Sequence, residues 1–499
     1  MSAQPSVATG VPGLDDVVRG GLPAGHLYLL EGPAGAGKTT FGLQFLMEGV
    51  RRGERVLWCS LSDTLSQLEA ASRSHGWSLD GIVVVNLAEE PSVGAPGDEY
   101  TFFSPAEIEL TDVTRTIVST IERERPARVV FDPFSDVRLL ARDPLRYRRQ
   151  ILQLRACFQA AGSTVLLIQE SHLDVDRPSD RAAEGMVHGV FRLTQDAPDY
   201  GRPRRRLRIL KLRGVDYREG AHDVRLRHGG LSVYPRLVAA EHGAPEEVRS
   251  VSTKAPALDA ALGGGLDLGM SLLLMGPAGI GKSTLCSQIA SGLCADDARA
   301  ALYLFDETTR ALYARADSLG LPLREQSAAG RVMVRKVDPA EFSPGEFAHA
   351  IRTGVEEQAV RLVVIDSLNG YLAGMPDEKH LALHVHELLQ YLSHRNVVTL
   401  LTLNQQGLIG SDPQVPVDIS FLSDAAILMR YFETGGQVRR AMSIVKRRCG
   451  PHEAMLREFT IGPQGLALGG TLERFRGVLT GVPEQVENSA PRSAVAVSP

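Results

Sequence analysis

The chain contains itself twice. Residues 9–40 read TGVPGLDDVVRGGLPAGHLYLLEGPAGAGKTT, and residues 253–284 read TKAPALDAALGGGLDLGMSLLLMGPAGIGKST. Thr9 matches Thr253, Asp15 matches Asp259, Gly21 matches Gly265 and Lys38 matches Lys282, each pair 244 positions apart, so the segments align without a gap. RVVFDP at 128–133 likewise matches LVVIDS at 362–367, and KLRG at 211–214 matches KRRC at 446–449. Internal repeats of this kind decide the architecture before anything else does. The reading is two homologous halves, residues 1–240 and 241–475, and a polar, Pro/Ser-containing tail, 476–499. Either half is long enough to bury its own core.

Within each half, short apolar runs alternate with stretches of helical spacing. His26–Leu30, Arg55–Cys59, Arg128–Phe131 and Thr164–Ile168 read as buried strands. Ser271–Met275, Ala300–Phe305, Leu362–Ile365 and Thr399–Leu403 are their second-half counterparts. Thr39–Arg51, Leu65–His75 and Ala106–Arg123 carry apolar residues at helical spacing. Continuous apolar strands between helices predict an α/β fold, with a mainly parallel sheet covered on both faces in each half.

The segments Gly32–Thr39 and Gly276–Ser283 both fit GxxxxGK[ST]. Glycines such as Gly32, Gly35, Gly37, Gly276, Gly279 and Gly281 let backbone N–H groups curl round a phosphate. The helix N-terminus that follows favours an anion. Lys38 and Lys282 are placed to reach the β- and γ-phosphates, and Thr39 and Ser283 to ligate Mg²⁺, with Thr40 and Thr284 next in line. Two matches, each after an apolar strand and before a helical pattern, exclude a chance Gly-rich turn. Asp132 and Asp366 each end an apolar strand, where a carboxylate holds Mg²⁺ through water. The expected ligands are therefore a nucleoside triphosphate and Mg²⁺.

With its duplicated phosphate loop and the lead-in G-[LV]-D-x-x-x-x-G-G-L-x-x-G, the chain resembles the KaiC family of RecA-like ATPases over about residues 7–475. The resemblance implies two tandem RecA-like P-loop domains, a homo-hexamer with nucleotide held between neighbouring subunits, and slow, regulatory ATP hydrolysis acting on a signalling partner that the sequence does not name. In that family a paired Glu polarises the attacking water. The matching positions are Ser62-Asp63 in the first half and Asp306-Glu307 in the second. Glu307 with Asp306 keeps a working pair. Ser62 cannot act as a base, and Asp63 is one methylene short, so the first half is expected to bind nucleotide and turn it over slowly. Asp63 can alternatively be read as a helix N-cap.

The resemblance also assigns trans-acting Lys211 and Arg213 in the first half and Lys446 and Arg448 in the second. Each pair is one residue apart on a strand, so both side chains point the same way. Arg440 and Ser74 match further nucleotide contacts. The family's adjacent Ser and Thr phosphosites fall on Ser420 and Phe421, which leaves Ser420, with Ser423 close by, as the candidate acceptor for a serine autokinase.

Two other readings compete. A nucleic-acid motor or recombination mediator would use the basic run RPRRRLRILKLR at 202–213. A net charge of −5 and the apolar residues that interrupt the run argue against that partner. A non-enzymatic scaffold would use ATP only as interface glue. Five scattered cysteines without a CxxC pair argue against structural zinc and disulfides, and fit a reducing cytoplasm. No apolar run suggests a membrane partner or a signal peptide. His380, His384 and His386 lie on an expected helix and read as a solvated face, Cys286 and Cys294 as core, and Glu89-Glu90 and Asp98-Glu99 as a solvated loop.

Overall fold

The computed structural model describes residues 5–86, 110–137, 144–170, 184–241, 243, 249–295, 298–373, 381–405, 422–478 and 484–485. The chain divides into two compact units, Met1–Arg236 and Leu237–Pro499.

Each unit is built on a nine-stranded sheet, and the two strand orders are the same. In the first, Gly189–Asp196, Leu27–Gly32, Thr164–Glu170, Arg128–Asp132, Val56–Ser60 and Ile82–Asn86 lie side by side in parallel. Arg204–Leu212, Ala221–Arg227 and Gly230–Tyr234 then extend the sheet antiparallel from Gly189–Asp196. In the second, the parallel strands are Ala425–Thr434, Ser271–Gly276, Val398–Asn404, Val360–Asp366, Arg299–Leu304 and Val332–Lys336. Gln437–Arg447, Arg457–Gly462 and Gly465–Thr471 form its antiparallel extension. These are two RecA-like α/β folds in tandem: the apolar runs predict the parallel sheets, and the family resemblance predicts the RecA-like pair.

Alternation within the strands supplies both faces of each sheet. On one face of the first sheet, Tyr28, Leu30, Trp58, Val130 and Leu166 pack under Phe41 and Phe45 of the helix Lys38–Arg51. On the other, Leu29, Leu57, Val129, Phe131 and Leu167 pack against Ile117 and Ile121 of Leu110–Glu124 and Ile151, Leu154 and Phe158 of Pro144–Ala161. The second sheet has the same two-faced core. Each such side chain stabilises its half by about 1.5–3 kcal/mol when fully buried.

The lead-in motif proves to be a folding device. Its aspartate ties down its threonine: Thr9 N–H donates to Asp15 Oδ1 at 2.9 Å, and Thr253 N–H to Asp259 Oδ1 at 2.8 Å. The short strands that bracket it pair antiparallel, Ser6–Val7 with Leu22–Pro23 and Ser250–Val251 with Leu266–Asp267. The motif thus anchors the start of each half next to the strand that carries its phosphate loop.

Candidate active site

Both phosphate loops sit between a buried strand and a long helix. Leu27–Gly32 leads to Lys38–Arg51, and Ser271–Gly276 to Lys282–Cys294. The first glycine of each loop is fixed by a neighbouring strand. A Cβ on Gly32 would lie 2.7 Å from Leu193 O, and one on Gly276 2.5 Å from Met429 O, so no larger residue fits without moving backbone. Gly37 and Gly281, at φ 102° and 123°, then turn the chain into the helix.

The two lysines adopt one pose. Lys38 Nζ donates to Gly32 O at 2.9 Å and Pro33 O at 2.8 Å, and Lys282 Nζ to Gly276 O and Pro277 O, both at 2.8 Å. Burial lowers both amines, that of Lys282 to about 8, against the opposing pull of Asp366. A half-desolvated ammonium held on carbonyls gains when a phosphate replaces them.

The strand-end aspartates lie where the sequence predicts, as the last residues of Arg128–Asp132 and Val360–Asp366. In the first half Thr39 Oγ1 donates to Asp132 Oδ2 at 2.8 Å. Burial pushes the Asp132 carboxyl up to about 6, Thr39 opposes that shift, and Asp63 adds to it. In the second half Asp366 Oδ1 accepts from Thr402 Oγ1 at 2.5 Å. In the first half the Thr39 hydroxyl and the buried Asp132 carboxylate beside the phosphate loop form the hard-oxygen donor set that Mg²⁺ requires, so these residues fit the ion.

The carboxylates at the end of the next strands differ between the halves. Asp63 lies near enough to Asp132 to raise it, and its N–H donates to Ser60 Oγ at 2.9 Å. It is not the helix cap. Thr64 is, closing a capping box with Gln67. In the second half Ser367 Oγ donates to Asp306 Oδ2, and Arg315 Nη1 donates to Glu307 Oε1 at 2.5 Å. Leu304 is level with Asp366, and Phe305 N–H donates to Asp366 O at 2.7 Å, so Asp306 and Glu307 begin where the Asp366 strand ends.

Lys211 and Lys446 lie on strands, but Arg213 and Arg448 fall one residue past the ends of Arg204–Leu212 and Gln437–Arg447, so neither pair shares a strand as expected. Lys446 is level with Ala426, and Ala426 with Leu273, three residues before Gly276. Lys211 is level with Val190, and Val190 with Leu29, three residues before Gly32. Both lysines therefore sit about 10 Å short of their own phosphate loop along the strand direction. There they bind carbonyls, Lys211 that of Glu184 and Lys446 that of Ser423, both at 2.6 Å. Arg213 reaches Gly185 O at 3.5 Å, and Arg448 reaches Asp424 Oδ1 at 3.5 Å. Arg440 lies at the opposite end, level with Tyr431 and over its ring, and the Tyr431 hydroxyl lies beside Gly279. Ser74 ends the helix Leu65–Ser74 and gives its hydroxyl hydrogen to Ala71 O at 2.7 Å.

Sequence reasoning passed over several residues. The offset of 235 that relates Lys211 to Lys446 carries Arg440 onto Arg205, a member of the basic run at 202–213. Arg205 Nη2 donates to Gly35 O at 3.3 Å, within the phosphate loop. Arg206 of the same run is spent on Asp196 and Asp223. Thr40 Oγ1 lies 3.2 Å from His75 Nε2, a contact without a second-half counterpart because Leu319 stands at that position. Thr402 gave no sequence signal.

Ser420 and His380 lie outside the described residues, as do Glu89-Glu90 and Asp98-Glu99. Ser423 is fully buried, and Cys286 and Cys294 are core. No metal-binding cluster of His, Cys, Asp and Glu occurs among the described residues. No helix among them is long and apolar enough to cross a membrane.

Two RecA-like folds in one chain, each with a phosphate loop, a buried strand-end aspartate and an acidic residue beginning beside it, define a tandem P-loop ATPase. The KaiC ATPase family model matches this chain twice, over residues 7–238 and 251–472, and the chain belongs to that family. The circadian clock protein KaiC3 of Synechocystis sp. is 24% identical over 482 residues, covering 95% of this chain and 94% of the relative. The circadian clock oscillator proteins KaiC of Parasynechococcus marenigrum and Synechococcus elongatus are 26% and 25% identical, covering 96% of this chain and 93% and 92% of the relatives.

Proposed function

We propose that the chain is a slow, regulatory ATPase whose turnover resides in the second half. The observation that carries this is that Lys282 and Ser283 open the helix after one strand, Asp366 ends a second, and Asp306 and Glu307 follow a third, all at the carboxyl edge of one sheet. Lys282 would bind the terminal phosphates, leaving the carbonyls that hold it now. Ser283 and Asp366 would hold Mg²⁺, which offsets phosphate charge when bound. Glu307 would accept a hydrogen bond from the attacking water and take its proton, and Asp306, fixed by Ser367, would keep that strand end in place.

The first half would bind ATP·Mg²⁺ through Lys38, Thr39 and Asp132, with Arg205 and Ser74 near the nucleotide. Hydrolysis there would be slow, because Ser62 offers no carboxylate and Asp63 falls short. The place of Lys211, Arg213, Lys446 and Arg448, at the far end of the sheet from their own loops, supports service to a neighbouring subunit. We therefore read the active form as a homo-hexamer with nucleotide at its interfaces, in the cytoplasm, where its five free thiols persist.

Water is the phosphoryl acceptor in this reading. Incubation with γ-labelled ATP and Mg²⁺, with released phosphate and protein-bound label counted together, tests it. Phosphate release without protein label is expected. Label on the protein that disappears in Ser420→Ala would instead assign a serine autokinase.

A further inference from the structure

The second half holds an ion pair that the first half cannot form. Arg315 lies on the helix Thr309–Ser318, eight residues beyond Glu307, and gives Nη1 to Glu307 Oε1 at 2.5 Å. The repeat offset of 244 puts Asp63 opposite Glu307 and Ala71 opposite Arg315. The first half therefore lacks the arginine as well as the longer carboxylate.

The pair is unevenly satisfied. Glu307 Oε2 is buried with no hydrogen-bond partner, and so are Nε and Nη2 of Arg315. Native proteins rarely leave buried polar atoms unpaired, and each one that stays so calls for a physical reason, a catalytic role or a bound water among them. The location agrees. The buried Cys286 thiol, one turn into the helix that follows the phosphate loop, feels Asp366, Arg315 and Lys282 together, which puts Arg315 on the phosphate-loop side of this half. A base held by a third group is the recurring arrangement for activating a nucleophile.

We propose that Arg315 is a positioning residue: by holding Oε1 it fixes the Glu307 carboxylate and leaves Oε2 as the one oxygen free to accept a hydrogen bond from the attacking water. The inference rests on the reading of Glu307 as the water-activating group.

The test is steady-state phosphate release by the full chain, with kcat and KM measured separately for Arg315→Met, Arg315→Lys, Glu307→Gln and the double variant Arg315→Met/Glu307→Gln. Arg315→Met should lower kcat at least about tenfold with KM for ATP within about twofold, the signature of lost positioning and not of lost binding. Arg315→Lys, which retains an N–H for Oε1, should recover most of the rate. The double variant should be no slower than Glu307→Gln alone. If Arg315→Met turns over like wild type, or faster, while Glu307→Gln is inactive, the positioning role is overturned and the role of Glu307 stands. If Glu307→Gln keeps its full rate, the reading of Glu307 falls, and the inference with it.

Discussion

His222 shows how far a single buried ring can tie this fold to pH. It is fully buried in the antiparallel extension of the first sheet. Its Nε2 lies 2.9 Å from Arg218 O, and the Arg236 N–H donates to Nδ1 at 2.9 Å. Those partners fix the neutral ring with its hydrogen on Nε2, because a proton on Nδ1 would face the Arg236 N–H. Burial first, with Arg218 and Arg236 adding repulsion, lowers the ring from its ordinary 6.5 to about 4. The unfolded chain therefore takes up this proton before the folded chain does. The stability that comes from the neutral ring is whole above pH 6.5 and drains as pH falls from 6.5 to 4, about 3 kcal/mol in all. Denaturation of wild type and His222→Gln at pH 7 and pH 5 checks this. Wild type should lose clearly more stability between the two pH values than the variant, and equal losses would remove His222 as the cause. Nothing in the sequence marks this histidine, since its burial is set by strands that pair only in three dimensions.

The strand Arg128–Asp132 carries a charge where the sequence shows an apolar run. Arg128 is fully buried and does the work of a rivet. Its Nε pairs with Glu54 Oε2 at 2.5 Å, and its Nη1 donates to Ala8 O at 2.6 Å and Phe45 O at 3.0 Å. Its guanidinium also lies over the Phe45 ring at 4.9 Å. One side chain thus joins the lead-in segment, the phosphate-loop helix and the strand that ends in Asp132. The second half has Leu362 at this point, an apolar solution to the same problem. Arg128→Ala leaves those carbonyls and Glu54 without their partner and should destabilise the first half by about 3–5 kcal/mol. Calorimetry should show one of the chain's transitions falling while the other stays. If both transitions are unmoved, this account of the strand is wrong.

Elements of this kind divide into those the sequence announces and those it hides. Strands buried on both faces, such as Thr164–Glu170 and Val398–Asn404, stand out as unbroken apolar runs. The antiparallel strand Arg204–Leu212 reads as a basic patch, because its buried Leu207, Ile209 and Leu212 alternate with arginines on the other face. The phosphate loops and strand-end aspartates were legible because their chemistry fixes spacing along the chain. Thr402 was not, because it reaches Asp366 through strand pairing alone, whereas Arg205 was open to the repeat offset from Arg440 and Arg315 lies only eight residues beyond Glu307.

At the scale of the whole molecule, the duplication separates what both halves must keep from what one may lose. Both retain the phosphate loop, the lysine pose and the strand-end aspartate. Only the second retains a glutamate beside that aspartate, and only it braces the glutamate with an arginine. The lysine and arginine at the far end of each sheet then extend the argument beyond one chain, because they serve a neighbour's loop in this account. Phosphate release can be measured for wild type, Lys282→Ala, the pair Lys446→Ala/Arg448→Ala, and an equimolar mixture of the two variants. Each variant alone should lose at least about tenfold in rate, as expected when a group that stabilises the transferring phosphate is removed. In a randomly mixed head-to-tail ring, about a quarter of the interfaces would combine an intact loop with an intact Lys446 and Arg448, so the mixture should recover about that share of the wild-type rate. Turnover that survives Lys282→Ala, or a mixture no faster than its components, would contradict this account.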